Sequence, residues 1–92
     1  MTTDEDQEQG KLSFPCALGI KAMGRQVDNI ELKVKELVAQ HVEDEAIIQV
    51  RCRVSRNGNY HSVTCEVWLE NREQMEAIYQ SLFDHPDILM TL

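Results

Sequence analysis

Residues 47–69 read "IIQVRCRVSRNGNYHSVTCEVWL", and their pattern decides the fold. Before Asn57-Gly58, the residues Ile48, Val50, Cys52 and Val54 alternate with Gln49, Arg51, Arg53 and Ser55. After it, Val63, Cys65, Val67 and Leu69 alternate with Ser62, Thr64, Glu66 and Trp68. A period of two marks a strand with one buried face. Asn-Gly is the preferred two-residue type I′ hairpin turn, because both central residues need positive φ. If Arg56 pairs with Asn59, then Val54 faces His61, Cys52 faces Val63, Val50 faces Cys65 and Ile48 faces Val67. Every apolar residue of both strands falls on one face, and a one-residue slip would destroy the match. Cys52 and Cys65 become diagonal neighbours about 7–8 Å apart, too far for an easy disulfide.

On the amino-terminal side of this hairpin the period changes. Val27, Ile30, Val34, Leu37, Val38 and His41 follow three-and-four spacing, with Glu31, Lys33, Lys35 and Glu36 on the other face. That predicts an amphipathic helix over residues 27–42, with Glu31 and Lys35 as a favourable i,i+4 pair. Earlier still, Leu18, Ile20 and Ala22 alternate with Gly19, Lys21 and Met23, a strand that begins at Pro15 and is expected to end at Gly24. On the carboxyl-terminal side, Asn71 with Gln74 three positions on resembles a capping box. It opens a helix whose apolar face is Met75, Ile78, Tyr79, Leu82 and Phe83. Pro86 stops it, and Ile88, Met90 and Leu92 alternate inward along a last strand, which turns Thr91 outward.

Strand, helix, strand, strand, helix, strand is the order of the ferredoxin-like α+β sandwich. The expected sheet is four-stranded and antiparallel, in order 4-1-3-2, with both helices on one face.

Ninety-two residues suffice for one core, assigned to residues 11–92. Residues 1–10, "MTTDEDQEQG", hold Asp4, Glu5, Asp6 and Glu8 and no Lys or Arg. They read as a polar acidic tail, without the basic and apolar regions of a signal peptide. Without them the net charge falls from −7 to −3. That balance weighs against nucleic acid, whose affinity comes largely from Lys and Arg on phosphates. No apolar run approaches a membrane span of about 18 residues, so cytoplasm is the expected location. Cys16, Cys52 and Cys65 are odd in number and lack CxxC spacing; they read as reduced, small core hydrophobes.

"FP" and "IKAMG" in the first strand, "SRNGNYHSV" in the hairpin and "LMTL" at the carboxyl terminus together resemble the YbeD-like family of small bacterial proteins of unassigned function. The likeness runs from Phe14 to Leu92. It implies the same βαββαβ fold, similar in shape to ACT-type regulatory domains. It implies no catalytic residues, and its genes tend to neighbour lipoate-attachment genes, which is association rather than mechanism.

The open face of the expected sheet carries Lys21, Met23, Arg51, Arg53, Tyr60, Ser62, Thr64, Glu66, Trp68 and Thr91. Of these, Lys21, Arg51, Arg53, Tyr60, Ser62, Glu66 and Trp68 form the candidate interaction surface, with Arg51 and Glu66 in diagonal reach. An exposed Trp is a typical anchor for a partner protein or a second copy of the chain, although an ordinary solvated face carries the same residues. RNA-binding proteins of this fold stack bases on aromatics of the central strands, but the first strand offers Gly19, Lys21 and Met23 there. "MGRQVDN" puts Gly24 and Arg25 at the first strand-to-helix junction, a candidate anion or effector site. Acylphosphatases use such a loop on this fold, but this chain lacks their surrounding glycine-and-valine pattern. His41, His61, His85 and the cysteines lack zinc spacing, no Cys–His or Ser–His–Asp arrangement can be built, and no motif calls for a cofactor. The expected function is therefore a non-enzymatic interaction or regulatory module acting in trans. A small acylphosphatase-like hydrolase is the rival, and an RNA-binding domain comes third.

Overall fold

The computed structural model describes residues 13–25 and 29–91; the expected acidic tail, Val27 and Leu92 lie outside them. Strand β1 (Cys16–Arg25) leads to helix α1 (Ile30–Ala39) and a single 3-10 turn, Asp44–Ala46. Strands β2 (Ile47–Val54) and β3 (Tyr60–Leu69) form the hairpin, and helix α2 (Arg72–Asp84) and strand β4 (Ile88–Thr91) follow. The sheet is antiparallel throughout, in order β2-β3-β1-β4. This is the ferredoxin-like sandwich read from the periodicities.

Both helices bury their apolar stripes against one face of the two central strands. Ile30, Val34 and Val38 of α1 and Ile78 and Leu82 of α2 meet Ile20, Ala22, Val63, Cys65, Val67 and Leu69. Where β1 was expected to stop, it continues through Gly24 to Arg25. Gly24 lies under α1 because nothing larger fits: a Cβ there would stand 2.6 Å from the Asp87 carbonyl oxygen and 2.9 Å from Ile30 Cδ1. Asn29 starts the helix in the left-handed region at φ 58°, a conformation Asn adopts more readily than most residues.

The hairpin keeps the expected register from Gln49 to Val54, with Val54 opposite His61 and Cys52 opposite Val63. Its turn is different. Gly58 has a φ of 78°, while Asn57 stays at negative φ. Ser55 N–H donates to the Tyr60 carbonyl at 2.8 Å, and Gly58 N–H to the Ser55 carbonyl at 2.9 Å. The loop thus has four residues, 56–59. The Asn57 side-chain oxygen accepts from Ser55 Oγ at 3.1 Å and from Asn59 N–H at 3.3 Å, local bonds that compete with a tighter turn. A two-residue and a four-residue loop centred on the same bond leave the strand pairing unchanged, which is why the register survives.

At the other end of β2 the register does slip. Ile47, not Ile48, pairs with Val67, while Gln49 pairs with Glu66. Ile48 is the extra residue of a β-bulge and is turned out, 54% exposed. Cys52 and Val54 keep the expected face but not the expected burial; Val54 is 53% exposed. They sit on an edge strand beside the rim of α1, whose first residue, Ile30, lies over Gly24 of the central strand, so a hollow stays open between the helix and Val50, Cys52 and His61. On α2 the buried stripe is Ile78 and Leu82, and Phe83, one residue round the helix from Leu82, lies off it at 75% exposure. In β4, Met23 pairs with Met90 but Gly24 with Ile88, so Leu89 is an extra residue. That slip sends Met90 outward and brings Thr91 opposite Ala22, reversing the alternation expected after Ile88.

Caps and cross-links follow from the polar residues. Asn71 Oδ1 accepts from Gln74 N–H at 2.8 Å, and Gln74 Oε1 accepts from Glu70 N–H at 2.8 Å, one residue earlier than in a full capping box. Gln74 also donates to the His41 carbonyl at 2.9 Å, and His41 Nε2 lies 2.7 Å from Ser81 Oγ, which ties the end of α1 to α2. Lys33 Nζ lies 2.6 Å from Asp87 Oδ2, pinning α1 to the turn before β4. Among the described residues that is the ion pair that closes, and neither Glu31–Lys35 nor Arg51–Glu66 joins it.

Candidate functional site: the open face of the sheet

Alternation sends the odd-numbered residues of β1 and the even-numbered residues of β3 away from the helices. Reading across the sheet at the hairpin end, Arg53 is opposite Ser62, which is opposite Met23, which is opposite Met90. One step on, Arg51 is opposite Thr64 and Thr64 opposite Lys21. Arg25 is opposite Tyr60. Lys21, Arg25, Arg51 and Arg53 are all exposed, so four of the nine Lys and Arg residues of the chain share one end of one face. Lys21, Arg51, Arg53, Ser62 and Thr64, with Cys52 on the strand edge, line a shallow concavity of about 450 Å³. Among the described residues none of these cations is in an ion pair.

The structure thus brings Lys21, Arg51, Arg53, Tyr60 and Ser62 together. Glu66 borders them, opposite Gly19 and Gln49. Trp68 belongs to another neighbourhood. It is six residues along β3 from Ser62, about 20 Å at strand rise, and 41% exposed. Its Nε1–H donates to Glu70 Oε2 at 2.9 Å, and it borders a separate hollow with Val42, Ala46 and Gln74.

Gly24 and Arg25 do not share a loop. Both are strand residues on opposite faces, Gly24 buried under Ile30 and Arg25 on the open face; residues 26–28 of the junction lie outside the described ones. Arg25 is the member of the basic cluster that sequence reasoning left out of the open face. Its odd number shares the parity of Lys21 and Met23 and would have given it away had the strand been carried through Gly24.

On the helix side, the uncovered rim of β2 makes a second hollow of about 480 Å³, with Asn29, Leu32, Val50, Cys52 and His61 among its walls. Cys52 is the accessible thiol here. Burial, and then the nearby negative charge of Glu31, push its pKa up, so it stays protonated at neutral pH and is a poor nucleophile. Burial likewise raises Cys65, against a smaller opposing pull from Lys35. Among the described residues no three of His, Cys, Asp and Glu come together as a metal-binding group. No helix among the described residues is long and apolar enough to cross a membrane.

A family model described as "protein of unknown function (DUF493)" matches residues 9–92. The chain belongs to the DUF493 family. A UPF0250 protein of Chromobacterium violaceum is 36% identical over 87 residues, 95% of this chain and 98% of that protein. One from Nitrosomonas europaea is 34% identical over 85 residues, 92% and 98% of the two chains. One from Neisseria gonorrhoeae is 32% identical over 90 residues, 98% and 99%. The YbeD-like resemblance read from the motifs is this DUF493/UPF0250 relationship, spread over nearly the whole chain. Neither the description of DUF493 nor the names of these relatives carry an enzymatic activity. The solution structure of HP0495 from H. pylori superposes with a TM-score of 0.72 at 16% identity, covering 100% of this chain and 97% of that one. At that identity the likeness is one of fold.

Proposed function

We propose that this DUF493 protein is a non-enzymatic interaction module that works in trans in the cytoplasm, docking an acidic, extended segment of a partner protein on its open sheet face. One observation carries this reading: Lys21, Arg25, Arg51 and Arg53 gather on one face of a chain whose net charge is −7. A local field opposite to that of the rest of the molecule orients an acidic partner and repels a basic one. The side chains suit binding better than turnover. Arginine forks and the hydroxyls of Ser62, Thr64 and Tyr60 recognise carboxylates, and among the described residues no activated nucleophile stands beside them. The lipoate-attachment link implied by the family resemblance gives a pathway in which to seek the partner.

The test is a titration of the full chain with a deca-glutamate peptide at low ionic strength, followed by amide NMR. Expected are shifts at Lys21, Arg51, Arg53 and Ser62. The double variant Arg51→Gln, Arg53→Gln should bind about fivefold more weakly, at ~0.5 kcal/mol for each exposed pair lost. A single-stranded RNA that shifts these amides where the peptide does not would replace the protein partner with nucleic acid. Equal peptide affinity in both proteins would remove the face from consideration.

A further inference from the structure

The open face sorts charge of both signs to opposite ends. Lys21, Arg25, Arg51 and Arg53 stand toward the hairpin, all of them exposed. Toward the other end, Glu66 is opposite Gly19 and Trp68 opposite Ala17, and Glu43, Glu45 and Glu70 border the hollow of about 430 Å³ beside Trp68. Four cations thus answer four acids, and among the described residues none of the eight is in an ion pair. Trp68 lies about 20 Å along β3 from Ser62, twice the screening length of ~10 Å at moderate salt. The two ends of one molecule therefore leave each other largely unneutralised. Exposed apolar groups are sorted as well: Trp68 marks the acidic end, and Met90, 51% exposed and paired with Met23, marks the basic end.

A second copy of the chain supplies the missing complement in one orientation. Let two open faces stack about a two-fold axis that lies between them, at right angles to the strands and level with the gap between Thr64 and Glu66. Each β3 then runs over its counterpart in the reverse direction. Glu66 comes over Thr64 of the second copy, between Lys21 and Arg51 of the adjoining strands. Trp68 comes over Ser62, between Met23 and Arg53, a setting for sulfur–aromatic and cation–π contact. Glu70, which accepts from Trp68 Nε1–H at 2.9 Å, comes over Tyr60 and beside Arg25. Facing sheets pack about 10 Å apart, within the combined reach of arginine and glutamate side chains. Their twist skews the strands by about 30° without exchanging the ends. An axis parallel to the strands would set cations on cations.

We infer that this chain forms a face-to-face, two-fold dimer through its open sheet face, the acidic Trp68 end of each copy seated on the basic end of the other. The assignment rests on the docking role given to the basic end above, with the second copy's acidic end as the partner. Each contact is made twice, and the symmetry closes at two copies. Strands of ten, eight, ten and four residues, at ~3.4 Å rise and ~4.8 Å spacing, present about 500 Å² per copy. The pair covers about 1,000 Å², the threshold for a specific interface and the range of weak, reversible ones. Charge sorting decides the orientation. Trp, Met and Arg, residue types enriched at interfaces, supply the anchor.

The experiment is sedimentation equilibrium of the full chain from about 10 μM to about 1 mM at low ionic strength. Expected is a monomer–dimer equilibrium with a Kd of about 100 μM, at least tenfold weaker in about 0.5 M salt. Two charge reversals then test the orientation: Arg51→Glu with Arg53→Glu, and Glu66→Lys with Glu70→Lys. Each variant alone should stay monomeric, because like charges then face each other. Their equimolar mixture should regain the dimer, because both contacts of the pair are again opposite in sign. The gentler Arg51→Gln, Arg53→Gln variant should weaken the dimer about thirtyfold, four exposed pairs being lost, and it keeps the test readable where a reversal fails to fold. A chain that stays monomeric at 1 mM overturns the inference; shifts on adding deca-glutamate then leave the docking role standing. A dimer that tolerates all these variants also overturns it, because the copies then meet elsewhere, as does a mixture of folded reversals that remains monomeric. A dimer restored in the mixture, with no response of either end to deca-glutamate, supports the inference and removes only the extended acidic segment.

Discussion

Strands β2 and β3 are written in nearly the same alphabet and meet different fates. In β3, Val63, Cys65, Val67 and Leu69 are all fully buried. In β2, Ile48, Cys52 and Val54 are exposed and only Ile47 and Val50 are partly covered. Each strand alternates, and from residue 49 onward β2 sends its apolar side chains to the helix side. The difference lies in the neighbours. β3 is flanked by strands on both sides and roofed by both helices, whereas β2 has one strand beside it and the rim of α1 above. Alternation therefore determines which way a side chain points; position in the sheet determines whether water follows it.

The sharpest way to break this comparison is to enlarge a residue beneath the roof. Gly24→Val puts a Cβ within 2.6 Å of the Asp87 carbonyl and 2.9 Å of Ile30 Cδ1. Because the first of these is backbone, the strain has little outlet, and a loss of about 3 kcal/mol or failure to fold is expected. Gly19→Ala on the open face meets only Thr64 Cγ2 at 3.6 Å and should be neutral or stabilise by up to ~1 kcal/mol. Urea denaturation of the two variants reads the contrast directly.

Truncation sharpens it next. Leu69→Ala in β3 should cost about 3 kcal/mol, because a fully buried leucine leaves a cavity. Ile48→Ala in β2 should stay within about 0.5 kcal/mol, as for other surface sites. Equal losses would mean that Ile48 is covered in solution, by a partner or a second copy.

The smallest effect concerns the fastening of the roof itself. Lys33 holds the Asp87 carboxyl below its ordinary pKa of 3.8, first by its hydrogen bond and then by its charge. A lowered folded-state value means that the unfolded chain takes up the proton first. The stabilisation is therefore complete above the ordinary value and is lost as pH falls through the folded-state one. The gap in urea midpoint between the natural chain and Asp87→Asn should be present at pH 6 and shrink below about pH 4. A gap that stays constant through that range would detach the effect from this carboxyl.

These contrasts also mark what could be read from the letters. Element order, sheet order and the Val54–His61 register were legible because each follows from a local period or a local turn. The Asn71 cap was legible for the same reason. The exposure of Cys52, Val54 and Phe83 was not, because no local pattern states how far sideways the neighbouring element covers an apolar residue. The slips at Ile48 and Leu89 were hidden because consecutive apolar residues fit either register. Asn57-Gly58 marked the turn correctly but not its type, which depends on side-chain bonds from Ser55 and Asn57. For the candidate site, parity alone assembled Lys21, Arg51, Arg53, Tyr60 and Ser62. Arg25 was missed because a glycine inside a strand looks like its end.

The two slips share a consequence for how molecules of this protein meet one another. Ile48 interrupts one outer strand and Leu89 the other, while the two central strands run unbroken against each other. An outer strand with an irregularity offers a poor template for adding a further strand from another chain. Both margins of the sheet are thereby blunted against open-ended polymerisation, and Arg51 and Arg53 add like charge along the longer one. Growth by strand addition is discouraged at each side, which leaves the broad surfaces of the sandwich as the places where another molecule can settle.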